Sequence, residues 1–517
     1  LAIRPDAIAV GRHLTIAEAL RGAREPRRLK LAPGALARVE ASAGRIREAV
    51  EKGEWVYGVT TGFGSNAVHA IAEQDAQALQ ENLLVSHAFG DGPPLPDEVV
   101  RLALLLRIHA LALGCSGVRP STLDALTRLY MADVLAVVPS RGSVGASGDL
   151  APLSYLALPL IGKGRVRRRG VETTAAEALA AAGLEPVRLS YKEGLALVNG
   201  MQVTLALALL ALEAAEMALL VADAAAALTL EALAGRGQSL DPRIHEARRH
   251  PGQAASAIRM RRMVEGSRLV DAPIEEIPGK RKAPQDAYGI RCAPQVHGAA
   301  ADGLAYVRDV LAREIDAATD NPLVLGGDIL SGGNFHGEPL ALAADHLKLC
   351  VHELGSISER RVATLVDGHM NEGLPAYLAP RHGLHSGFMI AQYAAAAIVS
   401  ETKTLCFPSS ADSIPTGANV EDHVSMGTTA ARRALEVAGM VQSVLSIELM
   451  AAAQAVELRR RAPGRLSRAV LAAVRRAVPF RDADTPWDDA LEKVKALVAD
   501  GTIARAAGFL SMDRSAG

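Results

Sequence analysis

The longest apolar stretch of the chain, Val203 to Leu233, is built largely from Ala, Leu and Val, with Glu213, Glu216, Asp223 and Glu231 spaced through it. No uncharged block inside it reaches the roughly 18 residues that a membrane span needs. Apolar on most faces and ending near Gly235, it predicts a long helix buried among other helices. Two further stretches, Gly387 to Ser400 and Ala430 to Ala455, have the same character. Long helices with few turn signals predict a bundle around a central core. The expected architecture is mainly α: a loop-rich N-terminal domain over 1–200, then a long-helix bundle over 201–517. Charged, amphipathic segments from Arg459 onward would pack at its periphery. Segment 236–285, with Arg261, Arg262, Lys280, Arg281 and Lys282, is polar and basic and reads as a solvated surface loop.

Composition narrows the function classes. A chain of 517 residues has room for a large core or two to three domains. Its aromatic content of 3% and its wealth of Ala and Leu favour packed helices over a β-sandwich. A net charge of −1 implies no general attraction to nucleic acid or to an anionic membrane. Cys115, Cys292, Cys350 and Cys406 are scattered without a C-x-x-C pair, so neither a disulfide framework nor a zinc site follows. No basic-then-apolar leader opens the chain, and a reducing, cytoplasmic setting is expected.

The chemistry is concentrated in Gly142–Gly164, GSVGASGDLAPLSYLALPLIGKG. Within it, Ala146-Ser147-Gly148 can cyclise on itself. The Gly148 nitrogen attacks the Ala146 carbonyl, water leaves, and Ser147 loses its hydroxyl to become a dehydroalanine. The product is a 4-methylidene-imidazol-5-one ring (MIO), an electrophile made from backbone and one serine. Gly148 has no Cβ to block the approach, Ala146 is small, and only Ser147 has a β-hydroxyl to lose. Asp149 and Pro152 mark a helix start, and Leu153 to Ile161 would carry that helix into the core. Its N-terminus would aim free N–H groups and a partial positive charge at the ring. Taken alone the tripeptide reads as a flexible turn, so the rest of the chain decides.

Six further segments accompany it. They are Val56–Gly64 (VYGVTTGFG), Asn199–Gln202 (NGMQ), Gln285–Cys292 (QDAYGIRC), Thr319–Leu323 (TDNPL), Ser331–Gly337 (SGGNFHG) and Ala418–Gly427 (ANVEDHVSMG). In order and spacing, from about Tyr57 to about Glu457, the set resembles the aromatic amino-acid ammonia-lyases, a family of histidine, phenylalanine and tyrosine lyases with related aminomutases. The resemblance implies an MIO electrophile from Ala146, Ser147 and Gly148, no dissociable cofactor, no metal, and a homotetramer whose long helices pack between subunits. Eliminating ammonia needs an electrophile for a poor leaving group and a base for a weakly acidic β-proton. By resemblance Tyr57 is that base or assists it. A free tyrosine titrates near 10, so the site would have to lower it. Arg291 would clamp the substrate α-carboxylate through its planar fork. Asn199, Gln285 and Tyr288 would hydrogen-bond the ring oxygen, the carboxylate or the base, and Phe335 would pack near the electrophile and exclude water.

Two places speak to the substrate. Leu84–Ala88 reads LVSHA, with Ser-His where tyrosine lyases carry His-Leu and phenylalanine lyases Phe-Leu, and Glu421 stands where those enzymes carry Gln. Both choices resemble the histidine-specific branch, which implies conversion of L-histidine to trans-urocanate. An imidazole offers two nitrogens, so His87 and Glu421 can each find a partner. A phenyl ring would leave Glu421 unpaired at a cost of about 1–3 kcal/mol. Three positions depart from the pattern: Val420 for the usual Gln, Met201 for Thr and Gly289 for Ser. They leave open a lyase for tyrosine, phenylalanine or a modified histidine. A metal-dependent hydrolase built on His336, Glu338, Glu421, Asp422 and His423 is the alternative of another class, although their spacing is not H-E-x-x-H.

Overall fold

Alanine and leucine pay little side-chain entropy in a helix, and seven helices carry the description. They are α1 (Ala76–His87), α2 (Leu150–Ala157), α3 (Gln202–Ala232), α4 (Ala293–Ile315), α5 (Glu338–Val366), α6 (Met389–Leu405) and α7 (Gly427–Leu458). They belong to a computed structural model that describes residues 4–281, 283–381 and 383–510. The three predicted apolar helices are α3, α6 and α7. Both α3 and α7 are long and apolar enough to cross a membrane, yet most of each is buried within the protein, which is where a helix apolar on all faces belongs.

Contacts divide the chain into two compact units. The first holds residues up to Leu210, Arg308–Asp345 and Pro408–Arg432; the second holds Ala211–Val307, His346–Phe407 and the residues from Arg433 onward. The sequence reading drew one boundary at about residue 200. The structure instead returns two later segments to the first unit, because α3, α4, α5 and α7 each pass from one unit to the other along their length.

Strands are short and few. In the first unit, Leu323–Leu325 and Asp328–Leu330 form a hairpin with Leu323 opposite Leu330. Its two-residue turn is Gly326-Gly327, both at positive φ (59° and 92°), the conformation that tight hairpins require. This hairpin fixes Asn321 on one side and the Ser331–Gly337 loop on the other.

Segment 236–285 is the expected loop only in part: most of 264–285 is turn and loop, but the stretch before it is helical. Pro242–Arg248 and Pro251–Met263 are helices, each opening on proline, where no amide donor is needed. Ser256, Met260 and Met263 are buried on the inner face of the second, and this apolar face outweighs the basic residues around it. Lys282 lies outside the described residues.

Candidate active site

The Ala146-Ser147-Gly148 tripeptide is held from both sides within the first unit. Met426 donates its amide to the Val144 carbonyl at 2.9 Å, and Ala146 packs against Val424 and Met426. On the other side the Asp149 amide donates to the Gly200 carbonyl at 2.7 Å. A Cβ on Gly148 would collide with the Gly200 backbone, and one on Gly145 with Ser425 Oγ. Ser147 itself sits at φ 49°, with Gly148 at 82°. Left-handed geometry at a non-glycine residue is strained and persists only when its surroundings enforce it. The tripeptide is thus clamped in a bent conformation, with glycine wherever the clamp leaves no room.

Asp149 stands directly before α2, but its side chain caps nothing there. It is fully buried, and its carboxylate accepts from the Thr204 amide (2.7 Å), Thr204 Oγ1 (2.7 Å) and Thr428 Oγ1 (2.8 Å). Burial pushes its acid strength down and its pKa up, against the pull of these donors. The expected helix start is present, and the aspartate ties three segments together instead of capping it. Thr204 and Thr428 lie 55 and 279 residues away, a connection that no local pattern announces.

Tyr57 is half-buried, and its Oη accepts the Gly64 amide at 3.0 Å while its ring meets Phe63 edge to face at 6.4 Å. Gln80 of α1 anchors this loop: fully buried, it donates to the Gly58 carbonyl at 3.1 Å and accepts the Leu195 amide at 3.2 Å. His87 ends the same helix. Burial holds its pKa below the ordinary histidine value, while the Leu83 carbonyl and the charge of Glu421 act in the opposite direction. His87 is therefore set up as a neutral imidazole close enough to Glu421 to feel it.

Asn199 is buried, donating Nδ2 to the Asn321 carbonyl at 3.1 Å. Its Oδ1 is also buried and has no partner among the described residues. An orphaned acceptor of this kind costs stability unless something else supplies a donor. The TDNP segment is scaffolding around it. Thr319 Oγ1 accepts from Gln202 at 3.0 Å, Asp320 pairs with buried Lys192 at 2.6 Å, and Asn321 Oδ1 accepts the Gly332 amide at 2.8 Å. The last bond fixes the loop that carries half-buried Phe335. Met201 fills the space beside Gly337 and Gly427.

Glu421 closes a turn from Thr416. The two residues pair as an antiparallel bridge, and between them Gly417, Ala418 and Asn419 are all left-handed (φ 55°, 55° and 64°). Glu421 Oε2 accepts from Thr416 Oγ1 at 2.7 Å, and Oε1 accepts from Ser147 Oγ at 3.2 Å. Val420 is 61% exposed on this turn. Of the residues that a metal hydrolase would need, His336, Glu338 and His423 bring possible ligand atoms within 4.8 Å of one another. Hydrogen bonds already engage three of the ring nitrogens of the two histidines. His336 Nδ1 accepts the Glu338 amide at 3.3 Å, which leaves its Nε2–H to donate to His423 Nδ1 at 3.3 Å.

The remaining predicted residues lie in the second unit. Gln285 and Arg291 line one cleft of about 260 Å³. Tyr288 is 71% exposed, and the Arg291 guanidinium lies 4.7 Å from the centre of its ring. Arg291 Nε donates to the Asp286 carbonyl at 3.3 Å, leaving the outer fork free of that bond. Behind them, fully buried Arg361 makes a two-pronged pair with Glu448 (2.6 and 2.8 Å) and reaches the Gly289 carbonyl at 3.4 Å. A Cβ on Gly289 would touch Arg361 Cγ at 3.4 Å, an ordinary contact, so glycine is not required there.

The Ala-Ser-Gly bend, the tyrosine loop, the orphaned asparagine and the carboxylate bonded to Ser147 all belong to the first unit. The profile of the aromatic amino acid lyases matches residues 14–476, and the chain belongs to that family. The histidine ammonia-lyase of Symbiobacterium thermophilum is 47% identical over 506 residues, spanning 97% of this chain and 98% of its own. Among solved structures, the histidine ammonia-lyase of Trypanosoma cruzi superposes with a TM-score of 0.90 at 37% identity, covering 98% of this chain and 96% of its own. The tyrosine aminomutase of Streptomyces globisporus superposes at 0.92 with 35% identity, covering 97% and 98%. One fold therefore serves several substrates, and side chains must choose among them.

Proposed function

We propose that the chain is a carbon–nitrogen lyase that eliminates ammonia from L-histidine to give trans-urocanate. The observation that carries this reading is the carboxylate of Glu421, hydrogen-bonded to Ser147 Oγ and within electrostatic reach of His87. A charged acceptor beside a neutral imidazole suits a substrate ring bearing an N–H and a lone pair, and it penalises a phenyl ring. The histidine ammonia-lyases at 47–49% identity over nearly the whole chain support the same reading.

Ala146, Ser147 and Gly148 would form the MIO group, and the clamped left-handed bend with its crowded Gly148 suits that closure. Once formed, the group supplies an electrophile that turns the amine into a better leaving group. Tyr57 takes the β-proton. Arg291 binds the α-carboxylate, with Gln285 and Tyr288 assisting. Asn199 Oδ1 accepts from the ligand or the ring system, Phe335 keeps water out, and Glu421 and His87 orient the imidazole.

The functional form in this reading is a cytoplasmic homotetramer. All four cysteines are free thiols, as a reducing compartment favours. The surface we place between copies lies on α6, one of the long apolar helices. The apolar length of α3 is buried within the chain itself, whereas α6 leaves Ile390 (61%) and Tyr393 (58%) exposed. Incubating the purified protein with L-histidine, L-tyrosine and L-phenylalanine tests the assignment. Urocanate is expected from histidine, and preferential release of coumarate or cinnamate overturns it.

A further inference from the structure

We propose that Thr416 is a positioning residue for substrate selection, acting through Glu421. The inference rests on the reading of Glu421 as the acceptor for the substrate imidazole. A carboxylate has two oxygens, and here they have different tasks. Oε2 is taken by the Thr416 hydroxyl at 2.7 Å, whereas Oε1 is bonded only by Ser147 Oγ at 3.2 Å. Ring closure removes the Ser147 hydroxyl, so its donor to Oε1 disappears and that oxygen becomes the one available to a ligand. Oε2 stays occupied.

The backbone reinforces this division. Thr416 and Glu421 exchange amide bonds, Thr416 N to Glu421 O at 3.0 Å and Glu421 N to Thr416 O at 3.3 Å. The turn between them holds Ala418 and Asn419 in left-handed geometry, which costs energy and survives only where surroundings enforce it. A Cβ on Gly417 would come within 3.0 Å of Glu421 Oε2, so the carboxylate lies folded back over its own turn. The hydroxyl of Thr416 is the one side-chain donor within the turn that fixes the carboxylate's rotation. Without it, Oε1 has no preferred direction and imidazole recognition loses its aim.

The test compares T416V, which keeps the shape and removes the donor, with T416S, which keeps the donor, and with both changes in an E421Q background. Loss of a hydrogen bond to a charged group should lower kcat/KM for histidine by about 10- to 100-fold, mainly through KM. T416S should recover most of that loss. The mass deficit of two waters should persist in T416V, since ring closure does not use this bond, and melting should stay near wild type. In the E421Q background T416V should cost little more. The inference is overturned if T416V holds kcat/KM within about twofold, if T416S is as impaired as T416V, or if T416V costs as much without Glu421 as with it. If E421Q alone leaves histidine turnover intact, the reading of Glu421 fails first, an outcome distinct from a silent T416V beside an impaired E421Q.

Discussion

Ser147 Oγ donates a 3.2 Å hydrogen bond to Glu421 Oε1 across 274 residues of sequence. The contact joins the two parts of the site that do different work: the segment that can become an electrophile and the carboxylate that can read the substrate ring. In the proposed reading, that bond places the reacting centre and the specificity group within one side chain's reach of each other.

Ser147→Ala should abolish turnover and leave the helical fold intact, because only Ser147 has the hydroxyl that the elimination needs. The wild-type protein should weigh two waters less than its sequence, and the variant should keep the hydroxyl-independent fold by circular dichroism. Unchanged activity in the variant would remove the electrophile from the mechanism.

Glu421→Gln or Glu421→Ala should reduce histidine turnover by about two powers of ten or more, at roughly 1.4 kcal/mol per decade. His87→Phe should weaken histidine further and admit phenylalanine weakly. A site built around polar-ring hydrogen bonds should reject the phenyl substrate by about four to five powers of ten in the wild type. Steady-state kinetics on both substrates decide it, and a Glu421→Ala protein with normal histidine kinetics would count against the reading.

Glu314, on the last turn of α4, gives a pH signature. Burial, with the charge of Asp149 adding to it, raises its pKa from 4.5 to about 7. The folded protein therefore binds this proton more tightly than the unfolded chain. Its contribution to stability is fully present below about pH 4.5 and is lost as pH rises through 7. Glu314→Gln should melt higher than wild type at pH 8, by up to about 3 kcal/mol at 1.36 kcal/mol per pKa unit, and the gain should shrink toward pH 4.5. A melting curve at pH 8 that is unchanged or lowered would show that folding does not raise the pKa of Glu314.

Light scattering at micromolar concentration should return four times the chain mass. Replacing Ile390 and Tyr393 of α6 with Glu should lower it, since charged residues on a covered apolar face cannot be desolvated cheaply. A wild-type mass of one chain would refute the tetramer.

What the sequence determined by itself is the helical character and the inventory of chemistry. The apolar periods of Val203–Leu233 and Ala430–Ala455 had one physical outlet, burial as helices, and α3 and α7 follow them to within a few residues at each end. The Ala146-Ser147-Gly148 tripeptide was legible because its chemistry needs only three adjacent residues. Tertiary structure alone decided the rest. Thr416 carried no signal beyond a Pro-Thr-Gly turn, and the partners of Asp149 lie 55 and 279 residues away. Within 236–285, Pro251–Met263 folded as a helix because Met260 and Met263 found an apolar surface that the sequence does not display. The uncovered apolar face belongs to α6 and not to α3, for burial depends on what packs against a helix as well as on what the helix is made of.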